Sequence, residues 1–249
     1  MGEGQETGPG LLVSAAFVLD SGVVEYVRDT YQMIMTSRCL AVALAALLAP
    51  TAASAHPHVF IDIRVEVRFD DAGNIEAFEQ TWLFDEMFSV FIADDMDGDG
   101  DGLPDEGELD RYMVDIMREL RDYDYYTEVE KDGADTALEL TGEMTAKYDG
   151  ANLEISFEVS PATPLAATGG VVRYRVYDPT YYIDILHAEA DDAIVLAGAP
   201  AGCAHKVIEP NPDPAAVDLA ASLDQTMSAG DTLGAFFAEQ VVIDCGPSS

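Results

Sequence analysis

The sequence predicts an α+β protein, predominantly antiparallel β in a sandwich-like arrangement or in twisted sheets, with an inserted EF-hand-like helix-loop-helix. Three observations carry this. Residues 58–69, HVFIDIRVEVRF, alternate apolar and polar, with Phe60 the one apolar residue on the polar face. Similar short runs recur downstream, separated by turn residues. The acidic stretch DGDGDGLPDEGE at 97–108 lies between two segments of helical periodicity.

Before the first strand, the chain reads as leader. Residues 1–32 have the character of an extension upstream of the true start, and residues 33–55 that of a secretory signal peptide. Arg38 supplies the positive end, Cys39 to Ala49 the apolar core, Pro50 a break, and Ala53-Ser54-Ala55 a small-x-small cleavage site. That apolar core is too short to span a bilayer, which needs about 20 residues. Cys39 opens the core rather than following it, so no lipid anchor is expected. Cleavage after Ala55 would leave residues 56–249 as one periplasmic β-rich domain beginning at His56.

In the first strand Val59, Ile61, Ile63, Val65, Val67 and Phe69 share one face. The turn DDAGN at 70–74 returns the chain into a second strand over 75–83. Further strands are expected at 125–130, 136–147, 151–159, 171–177, 181–187, 193–197 and 239–244. Phe84, Met87, Phe88, Phe91 and Ile92 recur at helical spacing, as do Leu109, Tyr112, Met113, Ile116, Met117 and Leu120, so the insertion spans about 84–121. A further helix is expected at about 214–227.

On the twelve-residue calcium loop, Asp97, Asp99 and Asp101 take positions 1, 3 and 5, Gly102 position 6, the Leu103 carbonyl position 7, Asp105 position 9 and Glu108 position 12. A hard cation wants six to eight oxygens, and this spacing delivers them from one short segment. Pro104 stands where paired loops exchange a backbone hydrogen bond, and proline has no N–H to give. The expectation is therefore one structural Ca²⁺ site, filled at about 10⁻⁴ to 10⁻³ M.

His56 and His58 form a second candidate metal site. A mature terminus at His56 offers its amine and ring nitrogen, and His58 lies on the same strand face. Pro57 forbids the planar site built on deprotonated amides, leaving a brace open to Zn²⁺, Ni²⁺, Co²⁺ or Cu²⁺. Asp85 and Glu86 open a helix, where acids are favoured by the dipole; His187 and His205 read as isolated surface or hydrogen-bonded side chains. Cys203 and Cys245 are expected to form a disulfide in an exported chain. With 47 Asp and Glu against 12 Lys and Arg, a net −35, the surface repels nucleic acid and anionic lipid and suits cations. No nucleophile elbow, zinc-protease helix or phosphate-binding glycine loop occurs, so no enzyme is expected.

Taken in order, HPHVFID, WLFDEMFS (82–89), the acidic loop, VYDPTYYIDI (176–185) and GAPAGC (198–203) resemble a bacterial family of periplasmic proteins of unknown function. That family is often labelled as the periplasmic component of an ABC-type transport system and includes the Zev-type accessory protein of zinc uptake. The resemblance covers nearly all of residues 56–245; Pro104 departs from it, since similar sequences carry an aliphatic residue there. It implies an accessory of zinc, nickel or cobalt transport, partnered by an inner-membrane metal permease. The alternative from the residues is a calcium-stabilised β-module for adhesion or protein-protein interaction, which needs no nitrogen ligands.

Overall fold

The computed structural model describes residues 57–223 and 230–246. His56, the segment 33–55 expected as a signal peptide and the expected extension 1–32 lie outside the described residues. The alternating segment forms β1 (Val59–Phe69), with every apolar residue of its expected inner face buried. β1 pairs antiparallel with β2 (Asn74–Phe84) across a turn in which the Asp70 carboxylate accepts the amides of Ala72 and Asn74. β6 (Leu153–Pro161) and β5 (Leu138–Tyr148) continue the sheet beyond β2. On the other side, β1 pairs in parallel with β9 (Ile183–His187) and β10 (Ile194–Ala197). The short β7 (Leu165–Ala166) joins β2. This sheet is therefore mixed rather than wholly antiparallel.

The second sheet is antiparallel, in the order β11 (Ala204–Ile208), β12 (Gln240–Asp244), β8 (Val171–Val176), β3 (Thr127–Lys131), β4 (Ala134–Asp135). The two sheets share one apolar core, seen where the Phe78 and Tyr174 rings meet edge to face at 5.5 Å. A polar thread crosses the same core. Trp82 Nε1 donates to Gln80 Oε1 at 3.0 Å, and Gln80 Nε2 donates to Thr127 Oγ1 at 2.7 Å. Gln80 is fully buried, so these bonds offset the cost of taking its amide from water.

Two helices connect β2 to β3: α1 (Glu86–Met96) and α2 (Glu106–Leu120). In α2, Leu109, Met113, Met117 and Leu120 face the core as their spacing predicts. In α1 the periodicity holds only in part: Phe88 and Ile92 pack half-buried against the core, and the other expected residues do not sit as predicted. Phe84 ends β2 instead of starting the helix, and the buried face of α1 is Ser89, Ala93 and Met96. Met87 and Phe91 point to solvent, 74% and 68% exposed. Ser89 makes the close approach possible: its Oγ accepts the Leu153 amide of β6 at 2.9 Å.

Other boundaries shift for local reasons. The strand expected from 125 begins at Thr127, because Asp124, Tyr125 and Tyr126 adopt left-handed φ of 52°, 55° and 56°. The strand expected from 181 begins at Ile183, because Asp178 gathers the amides of Thr180, Tyr182 and Ile183 into a turn. The helix expected over 214–227 is α3 (Pro214–Ser222), with Asp213 as its N-cap; residues 224–229 lie outside the described residues. β4, β7 and β11 were not expected: the first two are two-residue pairings, and β11 contains the polar pair His205-Lys206.

Cys203 and Cys245 are disulfide-bonded, joining the residues just before β11 and just after β12 across 42 positions. Chain-entropy estimates give such a closure about 4 kcal/mol. Protein beginning at His56, denatured without reductant, should show no free thiol, and reduction should lower its denaturant midpoint; two titratable thiols would refute the bridge.

Candidate functional site

The loop between α1 and α2 is built from its own carboxylates. Asp97 ends α1, its amide donating to the Ala93 carbonyl at 3.0 Å. Its Oδ1 accepts the amides of Gly100 (2.9 Å) and Asp101 (3.1 Å), and its Oδ2 accepts Gly102 at 2.8 Å. Gly100 and Gly102 have φ of 76° and 115°, which a side chain would oppose. Asp99 accepts the Asp101 amide, and Asp101 the Leu103 amide. Asp105 caps α2 by accepting the Glu108 amide at 2.9 Å, completing a capping box with Glu108.

Glu108 joins the two ends of the loop. Its Oε1 accepts the Gly98 amide at 2.7 Å and its Oε2 the Asp105 amide at 3.0 Å, and it is only 6% exposed. One oxygen from each of Asp97, Asp99 and Glu108 lies within 4.8 Å of the others. The electrostatics record the crowding. The Gly102 amide leads the hydrogen bonds that hold the Asp97 carboxyl below its ordinary value. Asp99 gains a similar bond from the Asp101 amide, yet the charges of Asp101, Glu108 and Asp97, with burial, leave it raised. An all-oxygen cluster whose members repel one another suits a hard cation. Asp101, Leu103 and Asp105 stand outside this close group of three, Leu103 with an exposed side chain.

His58 is half-buried at the start of β1, its amide donating to the Tyr182 carbonyl at 2.9 Å and its ring 4.9 Å from the Tyr182 ring. Among the described residues it belongs to no group of three or more donors within 4.8 Å. Asp85 is engaged as a cap. Its Oδ1 accepts the Phe88 amide and its Oδ2 the Phe60 amide, at 2.9 and 3.0 Å, while Glu86 is exposed.

His187 joins the two sheets. Its Nε2 lies 3.1 Å from the Tyr174 hydroxyl and its Nδ1 2.7 Å from Glu239 Oε2, which also accepts the His187 amide. Beside it opens a cleft of about 580 Å³ lined by Asp62, His187, Glu189, His205, Glu209 and Glu239. His187 and His205, isolated in the sequence, thus line one cleft. Sequence reasoning passed over Glu239 and Asp62; a contact over 52 positions leaves no local periodicity to read.

Among known proteins, residues 41–245 match the family described as "Protein of unknown function (DUF1007)". An uncharacterized protein of Haemophilus influenzae (strain ATCC 51907 / DSM 11121 / KW20 / Rd) is 27% identical over 195 residues, covering 77% of this chain and 91% of the relative. No solved structure matches.

Burial pushes the Glu239 carboxyl up, but hydrogen bonds from the His187 ring and amide, with the His187 charge, outweigh it and leave it lowered. A carboxyl lowered in the folded state contributes stability above its unfolded value and loses it as pH falls through the folded one. Melting temperature followed from pH 6 downward should therefore fall less steeply below about pH 4.5 in Glu239→Gln than in the native protein. Identical acid limbs would contradict this.

Proposed function

The chain belongs to this family of proteins of unknown function, and within it we propose that it is an exported accessory protein of metal traffic, stabilised by one calcium ion in the loop 97–108. The observation that carries the calcium reading is the convergence of Asp97, Asp99 and Glu108 oxygens within 4.8 Å, at loop positions 1, 3 and 12. Asp101, the Leu103 carbonyl and Asp105 are the remaining ligands proposed. Export is supported by the disulfide and by the signal-like segment ending at Ala55. Among the described residues no helix is long and apolar enough to cross a membrane.

The periplasmic location, the inner-membrane permease as partner and the transition ion as cargo rest on the resemblance to the periplasmic transport-associated proteins. The proposed donors are His58 and, at the mature terminus, His56 with its amine. An adhesion or interaction module with the same calcium loop would need neither histidine.

Calcium binding only the native state raises stability by mass action, by about 2.7 kcal/mol at a hundredfold excess over its dissociation constant. Melting temperature should rise in millimolar Ca²⁺ relative to chelator, and Glu108→Gln should remove most of the rise. Equal melting temperatures in calcium and chelator would refute the site.

The terminal site is tested by titrating Zn²⁺, Ni²⁺, Co²⁺ and Cu²⁺ into native protein, into His56→Ala/His58→Ala, and into protein with one added residue before His56. Native protein should bind most tightly. Equal binding by all three, or nothing tighter than about 1 mM, would favour the module without transition metal.

A further inference from the structure

α1 turns an apolar strip outward. Taken at 100° per residue, Met87 and Phe91 lie opposite the buried Ser89, Ala93 and Met96, and Val90 extends the strip toward Ala93. All three are exposed. Exposed apolar residues scattered singly are ordinary, whereas contiguous ones such as these mark interaction sites.

The strip's charge surroundings specify what fits it. Glu86 flanks one side and Asp95 the other, with Asp94 inside the strip, and all three are exposed. Asp94 and Asp95 lie in the last turn of α1, where the helix dipole disfavours acids and where no basic residue offsets them. A local rule broken on an exposed face points to a role outside the helix itself. A second copy of this chain would bring a like acidic rim and its own share of the net −35, and an anionic membrane would be repelled in the same way. A basic amphipathic helix satisfies both features at once. Its apolar face covers Met87, Val90 and Phe91, and its Lys or Arg side chains meet Glu86, Asp94 and Asp95.

We infer that the outer face of α1 is a docking surface for a basic amphipathic helix of a partner protein. The inference does not rest on the calcium reading, because the three apolar residues lie outside the loop.

The test uses mature full-length protein and fluorescein-labelled peptides of roughly 14 residues, followed by anisotropy at 150 mM salt, where exposed charges are screened beyond about 8 Å. The peptides are an amphipathic Leu/Lys helix, its scrambled isomer of equal charge, and a Leu/Glu counterpart. Native protein should bind the Leu/Lys helix one to one and the other two at least about tenfold more weakly. Met87→Ser/Phe91→Ser leaves the net charge unchanged and should weaken binding about tenfold or more, with and without calcium. Leu186→Ser, an exposed apolar change on β9, should have no effect. Glu86→Gln/Asp95→Asn should weaken binding and flatten its salt dependence. Far-UV circular dichroism shows each variant folded, and Phe91→Ser alone serves if the double variant is not. Equal affinity of native protein and Met87→Ser/Phe91→Ser overturns the inference, as does equal binding of the scrambled peptide. Sedimentation showing native protein dimerise, and Met87→Ser/Phe91→Ser not, would assign the face to a second copy and overturn it too.

Discussion

One buried carboxylate fixes the geometry of the helix-loop-helix. Glu108 takes the amide of Gly98, just after α1, on one oxygen and that of Asp105, just before α2, on the other. It thereby sets the distance between the end of the first helix and the start of the second. One oxygen of the same carboxylate belongs to the cluster with Asp97 and Asp99, so shape and charge meet in one residue. Amide hydrogen bonds lower Asp97 but do not neutralise the loop: Asp99 remains raised by its neighbours. A cation that displaced or shared those bonds would relieve the repulsion while keeping the turn. The loop is therefore ordered by its own amides donating to its carboxylates, while those carboxylates stay crowded.

The position of that loop depends in turn on the sheets. β2 runs directly into Asp85, which caps α1 and also receives the Phe60 amide of β1, so the helix start is tied to two strands. The opposing sheet is held by Gln80 to Thr127 within the core and by His187 to Tyr174 and Glu239 at its margin. Both links place polar groups where an apolar pair would pack, and both are satisfied, which favours one mutual arrangement of the sheets. The disulfide then closes the outer strands of the second sheet. Beside His187 lies the cleft, lined by residues of both sheets.

Much of this was legible in the sequence where a local rule decides the outcome. The period of two in β1 and the apolar repeat of α2 are each written within a dozen or so residues. The cysteine pairing was legible for a different reason, since beyond the expected signal segment the sequence holds two cysteines, which leaves one partner each. The face of α1 was not. Met87 and Phe91 look like core by periodicity, but β6 packs against Ser89, and only small residues allow that approach. The parallel placement of β9 and β10 beside β1, and the meeting of His187 with Glu239, are set by tertiary contacts that no short window contains. Left-handed backbone at Asp124, Tyr125 and Tyr126 likewise contradicts the local preference of those residues.

The central claim is that the loop 97–108 binds a single calcium ion through its own carboxylates. Amide chemical shifts of nitrogen-15-labelled protein beginning at His56 test it most directly, because Gly98, Gly100, Asp101 and Gly102 all donate to the proposed ligands. Stepwise addition of Ca²⁺ should move the cross-peaks of those four residues together and saturate at one equivalent of bound ion, while the strands of the second sheet stay unchanged. Shifts spread evenly over the acidic surface without saturation, or none at the loop amides at millimolar Ca²⁺, would contradict the account.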